Sequence, residues 1–217
     1  MFANVNDISL YYEVSGSGEP VILIHGNSET HDIFDVLVKD LSETHQVFSV
    51  DSRCHGQSSR NKGRISYDMM ADDYIAFIKT LGISKPTVYG FSDGGIIGLK
   101  IAMREPYLLG RLIVSGANLN PKGLTFSSRI SMWPRAIIGN RLYQMMLREP
   151  DIKTSELASI KIPVVVLAGE NDCVKGSHTI EIADSIPDST LEIIPGEDHG
   201  SYVIHSEKLY PIIAKYL

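Results

Sequence analysis

Short runs of apolar residues, separated by longer amphipathic stretches, recur along the whole chain and restrict its fold more than any other feature. The run Pro20-Val21-Ile22-Leu23-Ile24 is apolar at every position, so a strand here must be covered on both faces. Comparable runs fall at Gln46–Val50, Pro86–Tyr89, Arg111–Ser115 and Pro163–Leu167, with a last one at Thr190–Ile194. Helical patterns lie between them at 33–41, 67–81, 94–104, 175–186 and 205–216. Such alternation predicts a mostly parallel sheet wound by helices on both faces. Ahead of it, residues 2–6 and 10–14 alternate around Asn6-Asp7 and read as an antiparallel hairpin. In open sheets of this class ligands bind beyond the carboxyl ends of the strands, so functional residues are expected just after strands.

At 217 residues, a single domain spanning 1–217 accounts for the pattern and can bury a substantial core. The net charge of −6 and the absence of long basic runs argue against nucleic acid and anionic membrane surfaces as partners. Met1 to Asn6 has neither a basic nor an apolar leader segment, no stretch approaches transmembrane length, and the two cysteines suggest no disulfide framework. The expectation is a cytoplasmic protein. Oligomeric state leaves no mark in the sequence.

One stretch breaks the alternation. From Asn118 to Ile160 there is no strand signal, and Pro121, Pro134 and Pro150 interrupt it. Helices are expected near 127–138 and 140–148, the first bent or split at Pro134. Its apolar residues, among them Trp133, Met132, Met145 and Met146, can pack the segment onto the body. Alternatively 118–160 is a short cap in which those four side chains line an adaptable substrate pocket.

The chemistry concentrates at Gly90-Phe91-Ser92-Asp93-Gly94-Gly95, where an apolar strand runs into a helical stretch. Gly-x-Ser-x-Gly at such a junction is the spacing of a nucleophile elbow. The serine occupies a strained turn, and its flanking positions must lack a Cβ for strand and helix to approach. The hydroxyl is then presented at a helix N-terminus, where unpaired N–H groups favour developing negative charge.

A serine needs a base, and the base needs an orienting acid. His199, in Pro195-Gly196-Glu197-Asp198-His199-Gly200, follows the last strand and is the preferred base. His178 and His205 sit in helical patterns and His31 and His45 border the first helix; all four read as solvated surface residues. His25 reads as a residue shaping its loop. Asp172, in Ala168-Gly169-Glu170-Asn171-Asp172, is preferred as the acid over Glu170 and over Asp198, which is too close in sequence to His199. Two oxyanion donors are expected, the backbone N–H groups of Asp93 and Asn27. There is no P-loop and no His-Glu-x-x-His, so neither phosphotransfer nor a metal centre is supported.

Taken together, His25-Gly26, Asp51-Ser52-Arg53-Cys54-His55-Gly56-Gln57-Ser58, the elbow, Gly169-x-x-Asp172 and Asp198-His199-Gly200 resemble the α/β-hydrolase superfamily over nearly the whole chain. The resemblance implies an α/β-hydrolase fold with a mainly parallel sheet of about eight strands. It implies Ser92 as nucleophile, His199 as base and Asp172 as acid, and no cofactor. Cys54 departs from the family's usual glycine. The insertion is short for a family cap, which implies an open site. Asp93 places a carboxylate beside the oxyanion position, and its side chain is expected to turn away.

The leading functional expectation is a serine hydrolase that cleaves a small-molecule carboxylic ester or thioester through an acyl-enzyme. A C–C bond hydrolase, an acyltransferase or a cofactor-free perhydrolase could use the same residues. A non-enzymatic ligand-binding homologue is the third class.

Overall fold

The eight strands are β1 (Phe2–Val5), β2 (Ile8–Ser15), β3 (Glu19–Ile24), β4 (His45–Val50), β5 (Thr87–Phe91), β6 (Arg111–Ser115), β7 (Val164–Gly169) and β8 (Ser189–Ile194). In the computed structural model, which describes residues 1–60 and 62–217, they form one sheet. Its order is β1-β2-β4-β3-β5-β6-β7-β8. β1 and β2 form the expected hairpin and β2 joins β4 antiparallel; every other pairing is parallel.

The helices are α1 (Asp35–Leu41), α2 (Tyr67–Thr80), α3 (Asp93–Arg104), α4 (Phe126–Ile137), α5 (Arg141–Met146), α6 (Thr154–Leu157), α7 (Gly176–Ser185) and α8 (Leu209–Ile213). Alternate residues of the central strands feed two cores, which explains why those strands are apolar without a break. Ile22 and Ile24 join Tyr74 and Phe77 of α2 and Leu99 and Ile101 of α3 on one face. Val21 and Leu23 join Leu37 and Leu41 of α1 and Leu209 and Ile213 of α8 on the other.

Two details differ from expectation. The last helix starts at Leu209 rather than 205, because His205 takes a left-handed backbone (φ 49°). Pro211 then falls in its first turn, where a missing N–H costs nothing. Pro134 does not split α4, which runs unbroken from Phe126 to Ile137. Between β6 and β7, α4, α5 and α6 are tied to the body partly through a small cluster of Leu124, Met132 and Val174.

Candidate active site

β5 delivers Ser92 at the carboxyl edge of the sheet, and the turn into α3 is as tight as the glycine pattern requires. Ser92 adopts φ 54° and ψ −115°, a conformation that side chains rarely occupy. A Cβ on Gly90 would lie 2.3 Å from the Gly94 carbonyl oxygen, and one on Gly94 would lie 2.0 Å from that of Ile24. Only glycine admits this approach. The turn is pinned by the Ser92 N–H, which donates to the Ser115 carbonyl at 2.7 Å.

The loops after β7 and β8 bring two distant residues to this serine. His199 Nδ1 donates to Asp172 Oδ1 at 2.7 Å, and Ser92 Oγ and His199 Nε2 are 3.0 Å apart. The Asp172 side chain is only 2% exposed, so its charge is poorly screened by water. Asp172 Oδ1 also accepts the Val174 N–H at 2.7 Å, which fixes the carboxylate. Burial of the His199 ring opposes its charged form, but Asp172 and the sulfur of Cys173 favour it more strongly, and the pKa is raised. The ring also packs against Phe91, with centroids 5.0 Å apart.

The rival carboxylates have other work. Asp198 accepts the N–H groups of Gly200 and Ser201 and shapes the histidine loop. Glu170 accepts the Gly196 N–H at 2.8 Å. His25 is buried and structural: its Nε2 accepts the Ser52 N–H and its Nδ1 faces the Gly26 carbonyl. Burial, with His55 nearby, holds it at about 3 and therefore neutral. His31 corrects the expectation of a solvated surface residue, since it is buried with Nδ1 2.8 Å from Asp51 Oδ1.

Neither the Asn27 nor the Asp93 backbone N–H has a protein acceptor among the described residues. The Asp93 carboxylate is buried, accepting from the Tyr67 hydroxyl at 2.7 Å and from Asn27 Nδ2 at 3.1 Å. Burial lifts its pKa to about 6 against these two bonds. Asp172, Cys173 and His199 hold ligand atoms within 4.8 Å of one another, a triplet that could approach a metal ion. A metal there would have to displace the proton that joins His199 to Asp172.

Ser92 and His199 open into a cleft of about 280 Å³ whose walls include Phe91, Leu124, Met132 and Met146. Its polar lining comes from Asn27, Glu29, Asn118, Ser128, Ser131, Arg135 and Tyr143. Two of the four pocket candidates need correction. Met145 is fully buried in the core because α5 turns it inward, and Trp133 faces outward from α4, away from the cleft.

Glu29 is the residue that motif reasoning missed. Its Oε2 accepts the Gly26 N–H at 2.9 Å, and burial pushes its carboxyl up to about 7. An acid three residues beyond His25-Gly26 was the available signal, but no periodicity marks it.

The alpha/beta hydrolase fold family model matches residues 19–136. The chain belongs to the α/β-hydrolase family. It is 27% identical to the AB hydrolase superfamily protein YisY of Bacillus subtilis, over 96% of this chain and 95% of that one. The esterase EaEST from Exiguobacterium antarcticum has a similar fold, with a TM-score of 0.88, 20% identity and coverage of 99% and 98%. So has the meta-cleavage product hydrolase CumD of Pseudomonas fluorescens IP01, with a TM-score of 0.81, 17% identity and coverage of 99% and 96%. At these identities the solved structures speak for the fold. As a member of this family the protein is a hydrolase.

Proposed function

We propose that this hydrolase cleaves a short carboxylic ester or thioester through an acyl-enzyme formed on Ser92. One observation carries the reading: Asp172, His199 and Ser92 make a continuous hydrogen-bonded line that ends in an open cleft. His199 Nε2 takes the Ser92 proton as Oγ attacks the carbonyl carbon. Asp172 holds the ring so that Nε2 faces the serine, and it stabilises the imidazolium that forms. The tetrahedral oxyanion is met by the backbone N–H groups of Asn27 and Asp93, each worth on the order of 100- to 1000-fold in rate. As the carbonyl re-forms, the C–O or C–S bond breaks and His199 returns the proton to the alkoxide or thiolate. Water then attacks the acyl carbon with His199 again as base, freeing the carboxylic acid and Ser92. A cleft of about 280 Å³ suits a short acyl group better than a fatty chain.

A fluorophosphonate probe tests the assignment directly. Wild-type protein should be labelled once, at Ser92, and should hydrolyse p-nitrophenyl acetate faster than long-chain esters. Ser92→Ala should abolish labelling and lower kcat on the order of 10⁶-fold, with an unchanged melting temperature. Wild-type protein that neither labels nor turns over any acyl ester would sink the proposal.

A further inference from the structure

α4 carries two stripes of opposite character. Ser128, Ser131, Met132 and Arg135 recur at i, i+3, i+4 and i+7, on one side of the helix, and line the Ser92 cleft. Phe126, Ile130, Trp133 and Ile137 recur at i, i+4, i+7 and i+11 on the opposite side. An ordinary surface helix turns its apolar stripe to the core. Here the mostly polar stripe faces the protein, and the apolar stripe, with Ile138 just beyond it, stands 51% to 83% exposed. Shallow cavities of about 430 and 230 Å³ flank Trp133, and Arg129 and Arg148 share their walls.

The charge around this stripe is one-sided. Residues 118–148 hold five Lys and Arg and none of the chain's 26 Asp and Glu. Of the five, Arg129 and Arg148 line the cavities beside the stripe, while Arg135 lines the Ser92 cleft and Arg141 donates to the Gly63 carbonyl. Among the described residues Lys122, Arg129, Arg135 and Arg148 form no ion pair with a carboxylate. The whole-chain charge of −6 argues against anionic surfaces, but it averages over a basic patch on an acidic body.

We propose that the outer face of α4 docks on an anionic lipid surface. Trp133, Phe126 and the isoleucines enter the boundary between headgroups and acyl chains while the surrounding arginines meet lipid phosphates. A second copy of the chain is the poorer occupant. A two-fold dimer would set the same basic patch against itself, where like charges repel. The inference concerns the outer stripe and stands apart from the chemistry at Ser92.

Trp133 is the chain's only tryptophan, so its emission reports this face alone. Intact protein is titrated with vesicles of phosphatidylcholine and of equimolar phosphatidylcholine and phosphatidylglycerol, with fluorescence and co-sedimentation as readouts. Anionic vesicles should shift Trp133 emission to the blue and pellet the protein; neutral ones should do neither at the same lipid concentration. Raising salt to about 0.5 M should weaken binding. Ile130→Asp with Ile137→Asp should reduce anionic binding about tenfold or more, and Arg129→Glu with Arg148→Glu about as much. Unchanged circular dichroism and fluorophosphonate labelling keep misfolding out of the comparison. Wild-type protein that stays in the supernatant with unshifted emission would overturn the proposal. So would a blue shift that grows with protein concentration alone, since the stripe would then belong to a dimer. Vesicle binding without labelling would count against the esterase reading only.

Discussion

α3 and α4 are both twelve residues long; α3 begins directly after Ser92 and α4 lines the cleft, yet they are held in opposite ways. α3 buries nine residues, three of them glycines that let the helix lie against its neighbours. α4 buries only Met132 and Ala136. The helix that positions Ser92 is therefore fixed on several sides, while the helix roofing the cleft is attached along one mostly polar stripe. Reaction geometry demands placement to a fraction of an ångström and belongs with the first kind of element. Selection among substrates and surfaces tolerates looser attachment, and the proposals above assign it to the second.

The comparison meets its largest test at Asp172. Asp172→Asn should lower kcat/KM about 10⁴-fold, because the amide cannot stabilise the imidazolium and favours the wrong ring tautomer. Its pH profile carries the sharper information. In the wild type burial opposes the charged His199 ring but Asp172, with Cys173, raises its pKa, and in the proposed role the ring works only when neutral. Activity should therefore rise with pH through a limb lying above the ordinary histidine value of 6.5. Stability runs the other way: the raised pKa contributes fully below the unfolded value and is lost as pH climbs through the folded one. In Asp172→Asn the activity limb should move to lower pH. An unmoved limb would mean that another group controls the rate.

A smaller effect separates the two helices by stability. Gly94→Ala puts a Cβ 2.0 Å from the Ile24 carbonyl oxygen, an atom of the central strand that cannot retreat. It should cost about 3 kcal/mol in urea unfolding. Ile137→Ser, on the exposed stripe of α4, should change stability by less than about 0.5 kcal/mol. Equal losses at the two positions would erase the contrast between them.

The same contrast decides what could be read from residues alone. β3, β6 and β7 are legible because each is buried on both faces and so shows an unbroken apolar run. Ser92, Asp172 and His199 are legible because each follows a strand in a loop whose glycines constrain the turn, and the structure brings all three together. Trp133 and Met145 are not, because helical periodicity marks a face without saying what that face meets. On α4 the apolar stripe stays half or more exposed, against the usual rule. Glu29 escaped for a different reason. Its high carboxyl pKa comes from burial in the folded loop, a property that no local pattern carries.

Cys54 offers the finest test, because it lies between the two regions. It has φ 67°, the left-handed conformation suited to the glycine it replaces, and Arg141 of α5 reaches to 4.0 Å from its sulfur. A Cβ in this conformation costs on the order of 1–2 kcal/mol, which belongs to the backbone and not to the thiol. Cys54→Ala and Cys54→Gly both remove the sulfur and its contact with α5, but only glycine relieves the strain. Glycine also loses more freedom on folding, which returns part of the gain. Cys54→Gly should therefore be more stable than Cys54→Ala by about 1 kcal/mol, read from the two urea midpoints at equal slope. If alanine is the more stable, the loop relaxes at no cost, and the rigidity assigned to the sheet side of the cleft does not extend to this turn.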